Sequence, residues 1–246
     1  MAEFKFPTET VDLPSKGYFY VEGHPLSSGK VEIKYMTAKE EDILTSQNLI
    51  QQGTVIDTLL QSLIVDKTIN IKDLLIGDKN AIMVAARILG YGKEYEFEYD
   101  GIEQKVDLSK LNPVKLDFSK NSKGVNEFSF DLPTSKRTIT FKLLTGRDEQ
   151  NIAAELKAKQ KISKERSSEL TTRFKTMLLS VDGNSEKSFI NNFVDNEFLS
   201  RDSLAFRQYL TTITPDMDMT TTIITSSGKE TEVTIPVTVR FFWPSS

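Results

Sequence analysis

The chain contains the same short order of motifs twice, and this repetition constrains its fold more than any other feature. The stretch "KYMTAKEEDIL", residues 34–44, is echoed by "KLLTGRDEQNI", residues 142–152. An Asp-Leu-Pro sequence precedes each of them, in "VDLPSK" and in "FDLPTSK". Self-similarity in the same order over a long separation is typical of repeat architectures. The sequence therefore predicts a divergent tandem repeat, in which each half forms a similar small unit.

Each echoed stretch has a threonine followed three residues later by an acid. Thr37 precedes Glu40, and Thr145 precedes Asp148. Thr-x-x-Glu is the capping-box spacing, in which side chain and backbone satisfy each other at a helix start. The neighbouring acids Glu41, Asp42 and Glu149 would lie near the positive end of the helix dipole. The spacing thus predicts two helix caps, and it favours that role over paired catalytic carboxylates.

Helical patterns and alternating strands follow in each half. Leu59, Leu60, Leu63 and Ile64 share a helical face, as do Leu170, Phe174, Met177, Leu178 and Val181. The alternating segment "YEFEYDGIEQKVDL" predicts a hairpin that turns at Asp100-Gly101. A second hairpin is predicted around Gly228, with Pro236 inside its last strand, which would require an edge position or a bulge.

These elements predict an α+β fold of two related halves. Each half would have a short antiparallel sheet, a capped helix, one or two further helices and a closing β-hairpin. The Lys-, Asn- and Ser-rich stretch before Gly124 marks the boundary. We predict a first repeat over residues 1–112, a linker over 113–124 and a second repeat over 125–246.

Composition excludes several classes of site. The chain has no cysteine and a single histidine, His24, so thiolate chemistry, sulfur-ligated zinc and histidine-rich metal sites lack their residues. The formal charge of −4 argues against nucleic acid as a partner, although "KAKQKISKER", residues 157–166, is a local basic segment. No apolar run approaches the roughly 18 residues of a membrane span, and no secretory signal or phosphate-binding loop is present. We expect no cofactor, no metal, no membrane and no small-molecule substrate.

Two groups of aromatic residues are the candidates for contact with a partner protein. Tyr18, Phe19 and Tyr20 lie in a predicted loop, and Phe241, Phe242 and Trp243 lie near the C-terminus. Clustered exposed aromatics are typical anchors at protein interfaces. The alternative is that these side chains pack against the protein's own sheets.

The first half of the chain resembles a known family. The segments "KYMTAKEEDILT" and "LLIGDKNAIMVAARILGYG" are its distinctive parts, and the similarity is dense from Leu13 to Tyr99 and weaker through "FKLLTGRDEQNIAAEL". They resemble the baseplate hub assembly proteins of T-even-like contractile-tailed bacteriophages. The resemblance implies a non-enzymatic viral protein that helps to build the hub of the tail baseplate in the host cytoplasm. It implies other baseplate or tail hub proteins as partners, and it carries no functional residues.

The expected function is therefore assembly or structure of the baseplate hub through protein contacts, either as a chaperone that leaves or as a part of the virion. Two alternatives remain at this stage. A carboxylate-dependent cell-wall hydrolase of the tail would need two acids facing each other across a groove. A nucleic-acid-binding regulator would need a concentrated basic face.

Overall fold

The protein is a mixed α+β structure with small antiparallel sheets. The computed structural model describes residues 7–119, 121–162, 168–226, 228–237 and 239–242. The strands are β1 (Thr8–Asp12), β2 (Lys30–Lys34), β3 (Glu94–Tyr99), β4 (Ile102–Asp107), β5 (Phe128–Asp131), β6 (Thr138–Phe141), β7 (Leu178–Val181), β8 (Thr220–Ile224) and β9 (Glu230–Thr234). The helices are α1 (Ala38–Thr45), α2 (Gln47–Gln52), α3 (Val55–Leu63), α4 (Ile76–Tyr91), α5 (Gly146–Ile162), α6 (Glu169–Met177), α7 (Lys187–Asn192) and α8 (Ser200–Ile213).

The first part of the chain folds from β1 to α4. Strands β1 and β2 pair antiparallel with Val11 opposite Val31, and both of these side chains are buried. Helix α3 buries Leu59, Leu60 and Leu63 as the sequence predicts, but the helix ends there. The next residue, Ile64, has extended backbone and forms a bridge with Ile33 of β2.

A three-stranded sheet in the order β5-β6-β7 lies in the second half of the chain. The prediction of one helical face through Leu178 and Val181 is wrong, because α6 ends at Met177 and the next four residues are β7. Phe141 and Ile139 of β6 lie opposite Leu178 and Val181. Pairing with β6 satisfies backbone groups and buries both side chains, which helical periodicity alone does not reveal.

Two separate hairpins follow the long helices. The β3-β4 hairpin turns at Asp100 and Gly101, whose φ angles are 55° and 72°. Positive φ at both turn positions is the type I′ requirement, which explains why Asp-Gly stands there. The β8-β9 hairpin forms as predicted, but Pro236 lies beyond the end of β9 and not inside a strand. A strand that ends before proline needs no bulge to accommodate the missing N–H.

One hydrophobic cluster contains residues from both halves of the chain, including Leu59, Phe128 and Phe206. Phe206 of α8 packs edge-on against Phe141, with ring centroids 4.8 Å apart. The ring of Phe19 lies 5.3 Å from that of Phe128, and so joins the first loop to β5. Much of the core is therefore built from aromatic contacts between distant parts of the chain.

The predicted linker, residues 113–124, packs against both halves. Phe118 is buried, with its ring centroid 5.1 Å from that of Phe19. Val114 N–H donates to the carbonyl of Asp216 at 2.9 Å, and Gly124 N–H donates to that of Tyr18 at 2.8 Å. The division of the chain at this segment stays a prediction.

Candidate functional site

The first threonine–acid signature forms a closed cluster at the start of α1. A capping box joins Thr37 to Glu40, and the Glu40 carboxylate accepts from Thr37 N–H at 2.9 Å and from its hydroxyl at 2.6 Å. Lys34, the last residue of β2, donates to the other carboxylate oxygen at 2.8 Å. The Ser62 hydroxyl donates to that same oxygen at 3.3 Å. Glu40 has no exposed surface, so this acid holds a strand end, a helix start and α3 together.

The second signature has the same contacts at the start of α5. The Asp148 carboxylate accepts from Thr145 N–H at 3.0 Å and from its hydroxyl at 2.8 Å. Lys142 donates to the other oxygen at 2.7 Å. Both predicted caps are confirmed as local geometry. The lysine at each site was missed, although Lys-x-x-Thr-x-x-acid occurs in both quoted stretches.

Both cap carboxylates are held in the charged form. Burial alone would raise the pKa of Glu40, but the hydrogen bonds from Lys34 and Thr37 outweigh it and hold that pKa at about 2. The pKa of Asp148 is also lowered, because Lys142 and Thr145 outweigh its burial. A general acid must hold a proton near neutral pH. The surroundings of Glu40 and Asp148 instead lower their pKa values and keep both carboxylates deprotonated, which suits a structural role.

We expect Glu40→Gln to lower the free energy of unfolding by about 2–3 kcal/mol at pH 7, because the neutral amide loses the Lys34 ion pair and one acceptor. The pKa of Glu40 falls from 4.5 to about 2 on folding, so its contribution is complete above 4.5. It is lost as the pH falls through about 2. Urea unfolding of both proteins from pH 7 to pH 2.5 measures the difference, which should narrow below pH 4.5.

Asp42→Asn is the matched control, since Asp42 lies exposed in the same helix. Its effect should stay within about 0.5 kcal/mol across the series. A Glu40→Gln difference that stays constant down to pH 2.5 would contradict the assigned role.

A second kind of buried acid, absent from the sequence predictions, holds the turn after the first Asp-Leu-Pro. Asp78, in the first turn of α4, accepts from Ser15 N–H at 2.9 Å and from the Ser15 hydroxyl at 2.7 Å. The Tyr20 hydroxyl donates to Asp78 at 2.6 Å and accepts from Leu75 N–H at 2.9 Å. This turn places Lys16 at φ 51°. Asp78 therefore fixes a loop to a helix start 63 residues away.

Asp202, in the first turn of α8, does the same for the turn after the second Asp-Leu-Pro. Its two carboxylate oxygens accept from Thr134 N–H at 2.7 Å and from Ser135 N–H at 3.0 Å. Lys136, next in the chain, has φ 59° and so matches Lys16. The sequence signal was the single Asp shared by "GDKNAIMVAARIL" and "SRDSLAFRQYL".

The two loop-holding acids differ in charge balance. Burial raises the pKa of Asp78, the negative charge of Asp216 adds to this, and the hydrogen bonds from Ser15 and Tyr20 only partly oppose it. At Asp202 burial also acts to raise the pKa, but the bonds from Thr134 and Ser135 outweigh it and the pKa is lowered. The Asp78 site therefore depends more than the Asp202 site on a complete set of hydrogen bonds to its carboxylate.

The predicted exposure of the first aromatic group is wrong for two of its three members. Phe19 and Tyr20 are buried, and Tyr18 is half-buried. Phe19 packs among Tyr18, Phe118 and Phe128, while Tyr20 reaches Asp78. Phe19 and Tyr20 lie inside because Phe118 and Phe128 pack against Phe19 and the buried Asp78 binds Tyr20. These two side chains therefore offer no surface to a partner.

The C-terminal aromatic group is also buried where it is described. Phe241 and Phe242 have 0% exposure, and the Phe241 ring lies 4.9 Å from that of Tyr95. Arg87 donates to the Phe241 carbonyl at 2.7 Å and fixes this segment to α4. The prediction that these two side chains are exposed anchors is wrong, and Trp243 lies outside the described residues.

An exposed surface of another kind lies where the two hairpins meet. We call residues 94–107, 220–226 and 228–234 the hairpin end. The Ser226 hydroxyl donates to the Asp100 carboxylate at 2.6 Å, and Gln104 Nε2 donates to the Ile224 carbonyl at 3.3 Å. The exposed apolar side chains of the hairpin end are Tyr99, Ile102 and Ile224, with 40%, 36% and 61% exposure. The hairpin end is the candidate interaction surface.

Acids outnumber cations on the hairpin end. Its lysines are Lys105 and Lys229, and its acids are Glu94, Glu96, Glu98, Asp100, Glu103, Asp107, Glu230 and Glu232. Lys105 binds Glu94 at 2.8 Å and Glu96 at 3.5 Å. Within the described part of the chain no ion pair reaches Glu98, Glu103, Glu230 or Glu232. The hairpin end thus combines exposed apolar side chains with an excess of acids.

Neither metal-binding groups nor membrane spans are found among the residues that the structure describes. No group of three or more His, Asp or Glu side chains is arranged to hold a metal ion there. None of the helices within those ranges is both long and apolar enough to cross a bilayer. His24, in the loop before β2, stacks on Tyr20 and accepts from Leu26 N–H through Nδ1.

No protein-family model, curated protein or solved structure matches the chain.

Proposed function

We propose that the protein acts without catalysis in the assembly or structure of a phage tail baseplate hub, through contacts with other tail proteins. The resemblance of residues 13–99 to baseplate hub assembly proteins supports the phage assignment. The observation that carries the contact role is the hairpin end, which combines exposed apolar side chains with an excess of acids. Such a surface suits docking to a protein more than it suits chemistry.

The structural contacts of Glu40 and Asp148, the acids of the two threonine–acid signatures, support a non-enzymatic role. Glu40 and Asp148 are each paired with a lysine and with a helix start, and their pKa values are lowered. These acids therefore have a structural task that accounts for their repeated pattern. The proposed place of action is the host cytoplasm during assembly, with or without retention in the finished tail.

We also infer that the two halves arose by tandem duplication. The same order of features supports this inference: an Asp-Leu-Pro turn held by an acid of a later helix, then a strand with a lysine at its end or directly after it, then a capped helix. Asp78 and Asp202 hold the two turns, and Lys34 and Lys142 bind the two capping acids. A hairpin closes each half. On this proposal residues 113–124 connect the repeats.

The proposed function predicts that the tagged, full-length protein co-purifies with hub proteins of the tail from phage-infected cells. We expect mass spectrometry to find these proteins enriched over a tag-only control at a fixed ratio. Stoichiometric peptides in purified virions would identify a structural component, and their absence from virions would identify a chaperone. A preparation without any enriched tail protein would contradict the proposed function.

A further inference from the structure

The hairpin end holds a pair of like charges to which no described residue supplies an ion pair. Glu98 of β3 and Glu103 of β4 are direct cross-strand partners. Both side chains are exposed, and no ion pair from the described residues reaches either of them. Like charges at directly opposed positions destabilise an antiparallel pair. A cation supplied from outside would relieve this repulsion.

An apolar cross-strand pair lies at the tip of the same hairpin, on the face opposite to these acids. Tyr99 and Ile102 are opposite each other at the tip of the same hairpin, on the face that carries the buried Tyr95 and Phe97 further in. The inner residues of this face are covered by the core, whereas the tip pair extends beyond it. The hydrogen bond from Gln104 to the Ile224 carbonyl brings the exposed Ile224 to the same end. The tip thus offers apolar area that remains open to a partner.

The charge of the hairpin end selects among the classes of partner. Nucleic acid and anionic lipid surfaces are both negative and would be repelled. Symmetrical pairing of two hairpin ends would place carboxylates against carboxylates. A protein surface rich in lysine and arginine that contacts both faces of the hairpin end would meet its apolar side chains and its acids together. Its cations would reach Glu98, Glu103, Glu230 and Glu232, to which no described residue supplies an ion pair.

We propose that the hairpin end docks onto a basic surface of a different tail protein. Tyr99, Ile102 and Ile224 form the apolar part of this contact, and Glu98, Glu103, Glu230 and Glu232 bind the partner's cations. This inference rests on the proposed function, and it adds the site and the chemical class of the partner.

The test is site-specific photo-cross-linking of the full-length protein in phage-infected cells. A benzophenone amino acid is placed at Tyr99 or at Ile224, and at Leu204 as an exposed control on α8. We expect the first two positions to cross-link to one tail protein, in a segment where lysine and arginine outnumber acids. The Leu204 position should not give this product.

Two matched double variants then test the charge contribution with the purified partner. Glu98→Gln/Glu103→Gln removes the repulsive pair, so it should fold at least as stably as the parent chain. We expect it to bind the partner about tenfold more weakly, and added salt should reduce this difference. Glu22→Gln/Glu127→Gln removes two exposed carboxylates elsewhere and should bind like the parent chain.

The substitution Tyr99→Ser tests the apolar part of the contact. It should also weaken binding of the partner, about tenfold or more.

Several outcomes would overturn the inference. These are a cross-link to a second copy of the chain, to nucleic acid or to lipid, a cross-linked segment that is acidic or neutral, and unchanged binding of Glu98→Gln/Glu103→Gln. Co-purification of tail proteins without a cross-link from Tyr99 or Ile224 would overturn the inference and leave the proposed function standing. Loss of both co-purification and cross-link would overturn the two together.

Discussion

Replacing Arg87 by methionine is expected to lower the free energy of unfolding by about 3–5 kcal/mol. The buried guanidinium donates to three carbonyl oxygens, at 2.7 Å to Phe241, 2.7 Å to Gly92 and 3.0 Å to Glu94. Methionine fills a similar volume but donates nothing, so all three carbonyls lose their partner. Urea unfolding at pH 7 measures the loss.

Arg147→Met is the matched control for this substitution. Arg147 is exposed and pairs with Asp73 at the surface, so its loss should cost less than about 1 kcal/mol. The Arg87 contacts also fix the base of β3 and the segment that contains Phe241. We therefore expect hydrogen exchange in β3 to accelerate in the Arg87→Met protein. A loss below 1 kcal/mol, or unchanged exchange in β3, would contradict this role.

Replacing Asp78 by alanine is the second change with a large expected effect, again about 3–5 kcal/mol. Three donors converge on this carboxylate, namely Ser15 N–H, the Ser15 hydroxyl and the Tyr20 hydroxyl. Alanine would leave them buried without an acceptor. Asp78→Asn should cost less, about 1–2 kcal/mol, because the amide keeps one acceptor and the Ser15 hydroxyl can reverse its bond.

Asp202→Ala provides an internal comparison. Asp202 accepts from two backbone N–H groups, those of Thr134 and Ser135, so we expect a smaller loss of about 2–3 kcal/mol. Asp195→Ala, which breaks an exposed ion pair with Lys175, should cost less than about 1 kcal/mol. Denaturant unfolding of all four variants in one buffer gives the series. If the Asp78→Ala protein were as stable as the Asp78→Asn protein, the loss of the hydrogen-bond acceptor at residue 78 would not explain the destabilisation.

The correct sequence predictions all depend on contacts between residues that are close in the sequence. The helix starts at Thr37 and Thr145 were predictable because the capping contact joins residues three apart. The turn at Asp100-Gly101 was predictable because it is set by backbone preference within two residues. Local chemistry of this kind is decided before the chain is packed.

The failed predictions concern residues whose environment comes from elsewhere in the chain. Phe19 and Phe241 were expected at the surface, but rings from distant segments cover them. Val181 was assigned to a helix, although pairing with Ile139 makes it part of a strand. Neither hydrophobicity nor spacing distinguishes an aromatic anchor from a core residue, since both need the same side chain.

The sequence by itself determined where two helices begin, where the first hairpin turns and which acid caps each helix together with its threonine. Its repeated order of motifs also predicts two similar units, and their origin by tandem duplication stays a proposal. Only the tertiary structure decided that Asp78 and Asp202 hold loops more than 60 residues away, and that the hairpins, not the aromatic loop, present the open surface. The reason is physical: capping and turn formation depend on neighbours in the chain, whereas burial and charge compensation depend on which distant segments meet.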